Sequence, residues 1–309
     1  MIRRWFHKGY ILLTTALLLL SVTGCAIDDD RDVCCGNICM ETKYLPYGVE
    51  ELTTYIHSLR HFLFDANGAY MYEIPSGTDL HTLRFSLPSG QYTMLTIGNS
   101  EQMLAFRAED HTLNSLVMEL TDTTPSGKYL NADELYWGVC PMEVDETRRN
   151  SFVTYMNNIH SHLHVKVTWN NMPEDVGDYR MELQQVPIGY TLGPDGVYRV
   201  GDKIIPLNTD TLATYVRRTP LKAQEMQDEF ITVRYTRDRI PVFQLWFGDK
   251  AVTSPIDLSR AFNTWGWNPE ATAVQDYRIQ LTLFANGTVE VRPWIDADVE
   301  DWQNGGTFS

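Results

Sequence analysis

Three histidines at alternate positions and five cysteines, four of them within fifteen residues, are the groups in this chain whose type and spacing could do chemistry. In Asn158-Ile159-His160-Ser161-His162-Leu163-His164, residues two apart share one face of a strand, and three imidazoles in a row could hold zinc or copper. The same alternation puts Leu163, Val165, Val167 and Trp169 on a core face, so the histidines continue outward as Lys166 and Thr168. That is the pattern of a solvated face, and no carboxylate lies nearby in sequence to orient a ligand imidazole. His160, His162 and His164 are thus weak metal candidates, and no metal is expected. Among the cysteines only Cys35-x3-Cys39 has a zinc-knuckle-like spacing, and Cys140 has no close partner. No Gly-x-Ser-x-Gly elbow, phosphate loop, dinucleotide fingerprint or His-Glu-x-x-His motif occurs. Carboxylate pairs are unavoidable among 40 acidic residues and carry no acid or base assignment. The chain is expected not to be an enzyme.

The cysteines gain meaning from what precedes them. Arg3, Arg4 and Lys8 stand before an apolar stretch from Tyr10 to Leu20, with small residues just ahead of Cys25, which is the pattern of an export signal. Thr14, Thr15 and Ser21 break the run before it reaches the ~20 apolar residues of a membrane span. Ser21-Val22-Thr23-Gly24-Cys25 resembles the bacterial lipobox, which implies cleavage before Cys25 and acylation of its thiol and new amine. At about 0.8 kcal/mol per buried methylene, three acyl chains would hold the protein permanently, and this lipid is the only covalent group expected. Asp28, Asp29 and Asp30 resemble the acidic tract that sends Bacteroidota lipoproteins to the outer leaflet of the outer membrane, so a surface-exposed location is expected. Loss of Arg3, Arg4 and Lys8 with the signal carries the net charge from −15 to −18, which opposes nucleic-acid binding.

With Cys25 acylated, Cys34, Cys35, Cys39 and Cys140 remain in an oxidising compartment. A bond between adjacent Cys34 and Cys35 strains the intervening peptide. Two pairings stay open, each tying one N-terminal cysteine to Cys140 and closing a loop that adds up to ~4 kcal/mol.

The elements read as strands separated by turns. A strand reaching Phe64 meets Asp65-Ala66-Asn67-Gly68 and resumes from Ala69 to Ile74, and Asn-Gly between apolar runs predicts a type I′ hairpin. Leu83–Leu87, Pro88-Ser89-Gly90 and Tyr92–Ile97 form a second predicted strand pair, while Val49–Ile56 fits a strand or a helical turn. Tyr179–Val186 alternates, and Tyr277–Trp294 is a hairpin around Asn286-Gly287. The charged stretch Asp145–Asn150 marks a junction. The division expected is signal 1–24, lipidated Cys-rich tether 25–40, and sandwiches 41–148 and 149–309. A loose echo between Asp65–Tyr70 and Gly193–Tyr198 is permissive of two similar domains. Trp265-Gly266-Trp267 raises sugar binding, but Trp169 and Trp294 end alternating strands and are expected to face inward, so packing is the favoured role.

Several blocks, in order, resemble one family. They are Phe64-Asp65-Ala66-Asn67-Gly68, Leu87-Pro88-Ser89-Gly90-Gln91-Tyr92-Thr93 with Ile97-Gly98-Asn99, Asp133-Glu134-Leu135-Tyr136-Trp137-Gly138, the run from Asn158 to Trp169, Tyr179-Arg180-Met181-Glu182-Leu183, and Val291-Arg292-Pro293-Trp294. Over nearly the whole mature chain the sequence is similar to the FimB-type fimbrial anchor lipoproteins of the Bacteroidota, departing in Ile97, where the family often has tryptophan, and in its Cys-Cys pair. The resemblance implies an all-β fold of two tandem transthyretin-like Greek-key β-sandwiches, no catalysis, and a role in rooting a fimbria and limiting its length by β-strand complementation with shaft pilin. Shaft subunits of that class are cut by an arginine-directed protease beyond a first strand. Here Arg31 is the only arginine between Cys25 and Arg60 and precedes the first predicted strand, so the mature chain is expected to stay uncut. The alternatives are a tip or accessory subunit of the same pilus and a surface glycan-binding lipoprotein of a polysaccharide-uptake system.

Overall fold

The computed structural model describes residues 36–101, 112–121, 123–171, 173, 177–192, 197–200 and 203–294. Cys25, Asp28, Asp29, Asp30, Arg31, Cys34, Cys35 and the 193–196 turn lie outside them. No helix among the described residues is long and apolar enough to cross a membrane.

The first half contributes β1 (Ile38–Tyr44), β2 (Leu59–Asp65), β3 (Tyr70–Ile74), β4 (Thr82–Phe85), β5 (Gly90–Gly98), β6 (Val117–Glu119), β7 (Tyr136–Val144) and β8 (Asn150–Asn158), with the one-turn helix α1 (Leu52–Tyr55) after β1. Seven of these strands form a sheet in the order β3-β2-β5-β7-β8-β1-β4. β7 and β8 pair only where Tyr136 faces Asn158 and Trp137 faces Asn157, and from there they part. The sheet therefore doubles over into a sandwich. Ile38, Met40 and Leu83 of one layer meet Leu63, Met94, Cys140, Met142 and Val144 of the other.

The outer face of β2, β5 and β7 is buried as well, since Phe62, Phe64, Leu95, Ile97 and Trp137 belong to a core shared with the second half. A layer buried on both sides needs apolar residues at successive positions, which accounts for the unbroken Phe62-Leu63-Phe64.

The second half holds β9 (His160–Trp169), β10 (Asp178–Pro187), β11 (Gly189–Thr191), β12 (Val197–Val200), β13 (Lys203–Asn208), β14 (Leu212–Pro220), β15 (Glu225–Val233), β16 (Val242–Phe247), β17 (Lys250–Ala251), β18 (Ile256–Asp257), helix α2 (Leu258–Trp265), β19 (Gln275–Leu283) and β20 (Val289–Pro293). One layer runs β14-β10-β16-β17, with β18 also on β16, and the other runs β15-β9-β19-β20. Leu163, Val165, Val167, Phe230, Ile279 and Leu281 fill the space against Met181, Leu183, Phe243 and Leu245. In each half the first strand lies parallel to a late one, β1 beside β8 and β9 beside β19. The all-β class and two sandwiches in tandem are both present.

Three local expectations are corrected and one open reading is settled. β4 pairs with β1, not β5, so Pro88-Ser89-Gly90 carries the chain between layers rather than closing a hairpin. At Asn67-Gly68 and Asn286-Gly287 only the glycines have positive φ, 75° and 81°. Asp65 O accepts from Gly68 N at 2.9 Å and Phe284 O from Gly287 N at 2.9 Å, so each loop is a type I turn followed by a left-handed glycine. Val49–Ile56 resolves in favour of a helical turn. Finally, the Asp145–Asn150 stretch is a surface turn inside the first sandwich, because β8 beyond it pairs with β1 over seven residues. The first sheet ends at Asn158 rather than at residue 148, while β6 pairs with β11 of the second half.

Candidate functional site

Strand β9 alternates as its sequence demands. Leu163, Val165 and Val167 are fully buried, and the other face carries His162, His164 and Lys166. That face is not merely solvated. The register of β15 sets Glu229 opposite His164, and that of β19 sets Asp276 opposite His162. His164 Nε2 lies 3.1 Å from Asp276 Oδ1 and 3.5 Å from Glu229 Oε1. His162 Nδ1 bonds the same Glu229 oxygen, and its Nε2 is 3.8 Å from Glu134 Oε1. Rings of His162 and His164 stack with centroids 6.1 Å apart.

The electrostatics follow from these contacts. Burial works against a proton on His162, but the hydrogen bond and charge of Glu229, with Glu134 and Asp276 beyond, outweigh it and raise its pKa. Glu229 is held below the usual carboxylate range by the hydrogen bond from His162, and Asp276 likewise by that from His164. His160 behaves differently. It is 2% exposed, its Nδ1–H donates to Leu135 O at 2.9 Å, and its Nε2 accepts from Asn158 Nδ2 at 3.0 Å. Burial pushes its pKa down to about 3, and both ring nitrogens are spent inside the fold. Of the three candidate histidines, His162 and His164 contact carboxylates directly, and His160 is a core residue that lies near Glu134 and beside His162, ring centroids 5.0 Å apart. Glu229 and Asp276 had no signal in the local sequence, since only strand register places them here, and Glu134 comes from the segment that leads into β7.

The described cysteines sit apart. Cys140 is buried with Ile38 and Met40, whereas Cys39, between those two residues on β1, points to the other side of its layer. Both thiols are free, and burial raises the pKa of Cys140. The expected staple from Cys140 to Cys34 or Cys35 involves residues outside the described set.

Tryptophans serve packing. Gly266, at φ 71°, is the left-handed cap of α2 and turns the chain so that Trp265 and Trp267 meet at 4.8 Å and lie on the core beside Phe262 and Tyr277. Trp294 departs from the inward orientation expected. It follows β20 on the histidine side of the sheet, half-buried beneath Lys166 Nζ at 5.6 Å from its ring.

Residues 32–300 match the family model described as fimbrillin-A associated anchor proteins Mfa1 and Mfa2. A Bacteroides thetaiotaomicron structure provisionally described as a polysaccharide binding protein is similar with TM-score 0.61 and 16% identity, over 84% of this chain and 98% of that one. The fimbrial anchor protein Mfa2 from Porphyromonas gingivalis is similar with TM-score 0.58 and 14% identity, over 83% and 98%. A further Bacteroides thetaiotaomicron protein, provisionally described as an adhesin, gives 0.54 and 14% over 83% and 96%. No curated protein matches. At these identities the structural likenesses speak for the fold.

Proposed function

Since this chain belongs to the family of fimbrillin-A associated anchor proteins, we propose that it roots a fimbria in the outer membrane, held there by lipid on Cys25 and joined to the first shaft pilin by β-strand complementation. The family match carries this reading, because it covers both sandwiches. The family is one of fimbrial anchors and not of enzymes.

The place of β1 supports the anchor over a shaft subunit. It begins at Ile38, beyond Arg31, and is paired on both sides, with β8 and β4. A cut at Arg31 would release none of the described strands and so would open no groove at the first of them. What stays attached is also what carries Cys25. Asp28 to Asp30 then address the anchored protein to the cell surface.

Palmitate labelling tests the anchor directly. The wild type should carry label and sediment with the outer membrane, and Cys25→Ser should lose both; mature protein beginning at Asp32 would overturn the reading. For the partner, shaft pilin should be captured by this protein, and cells lacking it should shed fimbriae into the medium.

A second reading, glycan binding, rests on a cleft of about 420 Å³ between the halves, lined by Trp137, Val139, Val153, Tyr155, Lys203 and Ile204, with Tyr155 55% exposed. Specific sugar binding on an array, lost in Tyr155→Ala and unaccompanied by pilin capture, would favour it.

A further inference from the structure

We propose that His162, His164 and Glu229 form a binding site for a divalent transition metal, of the class zinc represents, bridging β15 and β9. The proposal is independent of the anchoring role, since it rests on two adjacent strands of one layer.

The donor set is the first argument. Two imidazoles and one carboxylate, with water in the fourth position, are a mixed nitrogen and oxygen set that zinc accepts in four-coordinate sites. Each comes from a residue whose backbone is fixed by register, with β9 giving both histidines and β15 the carboxylate. Spacing is the second argument. Arms of about 2.0–2.1 Å place tetrahedral ligand atoms roughly 3.3 Å apart. His164 Nε2 stands 3.5 Å from Glu229 Oε1, close to that edge length, while Asp276 Oδ1, 3.1 Å from the same nitrogen on the β19 side, lies outside the group. Ligand atoms of His162, His164 and Glu229 also lie within 4.8 Å of one another. His162 and Glu229 are closer together than an ion would leave them, so entry of an ion requires the Glu229 side chain, 37% exposed, to turn.

The surroundings complete the case. With Nδ1 on the ion, His162 would present its Nε2–H towards Glu134 Oε1, 3.8 Å away, from which a small shift would let that carboxylate orient the imidazole. Side-chain exposures of 20% for His162, 25% for His164 and 48% for Asp276 leave a route in from solvent. Core residues on the opposite face of β9 hold the platform rigid.

The test is calorimetric titration of the chelator-treated mature chain with zinc chloride, with a parallel cobalt(II) titration followed by visible absorption. One ion per chain is expected, with a higher melting temperature and a tetrahedral cobalt spectrum lacking thiolate charge-transfer bands. His162→Gln with His164→Gln should abolish binding, and the exposed His57→Gln should leave it intact. Glu229→Gln, a surface change that keeps the fold, should weaken binding at least tenfold, and Glu134→Gln roughly tenfold. Absence of a zinc-dependent shift in the folded wild type overturns the proposal. So does binding that survives the double histidine variant, because that ion would belong to cysteine thiolates or to the surface.

Discussion

His61 lies on β2 between Ile74 of β3 and Thr96 of β5, 2% exposed, with its Nδ1 3.0 Å from the Thr96 hydroxyl. Burial lowers its pKa to about 4, with Glu73 pulling weakly the other way. An unfolded histidine titrates near 6.5. Above that value both states are neutral and the group contributes nothing to the pH dependence. As pH falls from about 6.5 to about 4, the unfolded chain takes up a proton that the folded chain refuses. Stability is then lost on acidification by about 1.4 kcal/mol per pH unit, on the order of 3 kcal/mol in all. His61→Gln should flatten the melting temperature against pH in that window, and parallel curves for the two proteins would refute the assignment. A second prediction concerns thiols. In reduced native protein, half-buried Cys39 should alkylate readily and Cys140 only on unfolding, as read by peptide mass; equal rates would contradict the described burial. The sequence made the histidine alternation plain but not its partners, because Glu229 and Asp276 reach β9 through pairings with strands far along the chain. Arg234 is hidden for the same reason. Nothing in Ile231-Thr232-Val233-Arg234-Tyr235 marks it as fully buried, yet its guanidinium donates to the carbonyls of Asn158, Pro269, Thr272 and Ala273.

Two glycines decide how elements approach each other. At Gly138 on β7 a Cβ would sit 2.7 Å from Thr154 Cγ2 and 2.8 Å from Tyr155 O, at the place where β7 and β8 touch before parting. Gly138→Ala should cost ~1–3 kcal/mol by overpacking, measured by chemical denaturation; an unchanged midpoint would mean that the strands have room to spare. At Gly189 a Cβ would fall 2.0 Å from Met118 O, on the backbone of β6 itself. Gly189→Ala should release β6 from β11, so that amides of Val117–Glu119 exchange faster while those of β9 do not. Strands with one buried face and hairpins closed by neighbouring residues, such as β9 and the β19–β20 pair, were legible because their signals are local. The β4–β5 connection was not, since a turn reads the same whether it joins neighbours in one sheet or crosses to another. The junction was misplaced for a related reason. Charge at Asp145–Asn150 reports exposure, which a tight surface turn shares with an interdomain linker.

One core runs through both sandwiches, joining Phe62, Phe64, Leu95, Ile97 and Trp137 to Leu163, Tyr190, Ile205 and Phe230. The two halves should therefore unfold in a single calorimetric transition. A fragment of residues 36–158 alone would expose that apolar face of β2, β5 and β7 and should aggregate or bind a hydrophobic dye. Two separate transitions, or a soluble and cooperative fragment, would show that the halves are independent. The unbroken Phe62-Leu63-Phe64 is the local sign of a strand buried on both faces, but nothing in it says that the second half supplies the cover. The position of β1 bears on how the molecule responds to tension. A pull entering from residue 36 runs along the axis of β1, in parallel with seven paired residues of β8 and against four of β4. Its rungs are loaded in shear and must fail together, whereas a strand pulled sideways would unzip one rung at a time.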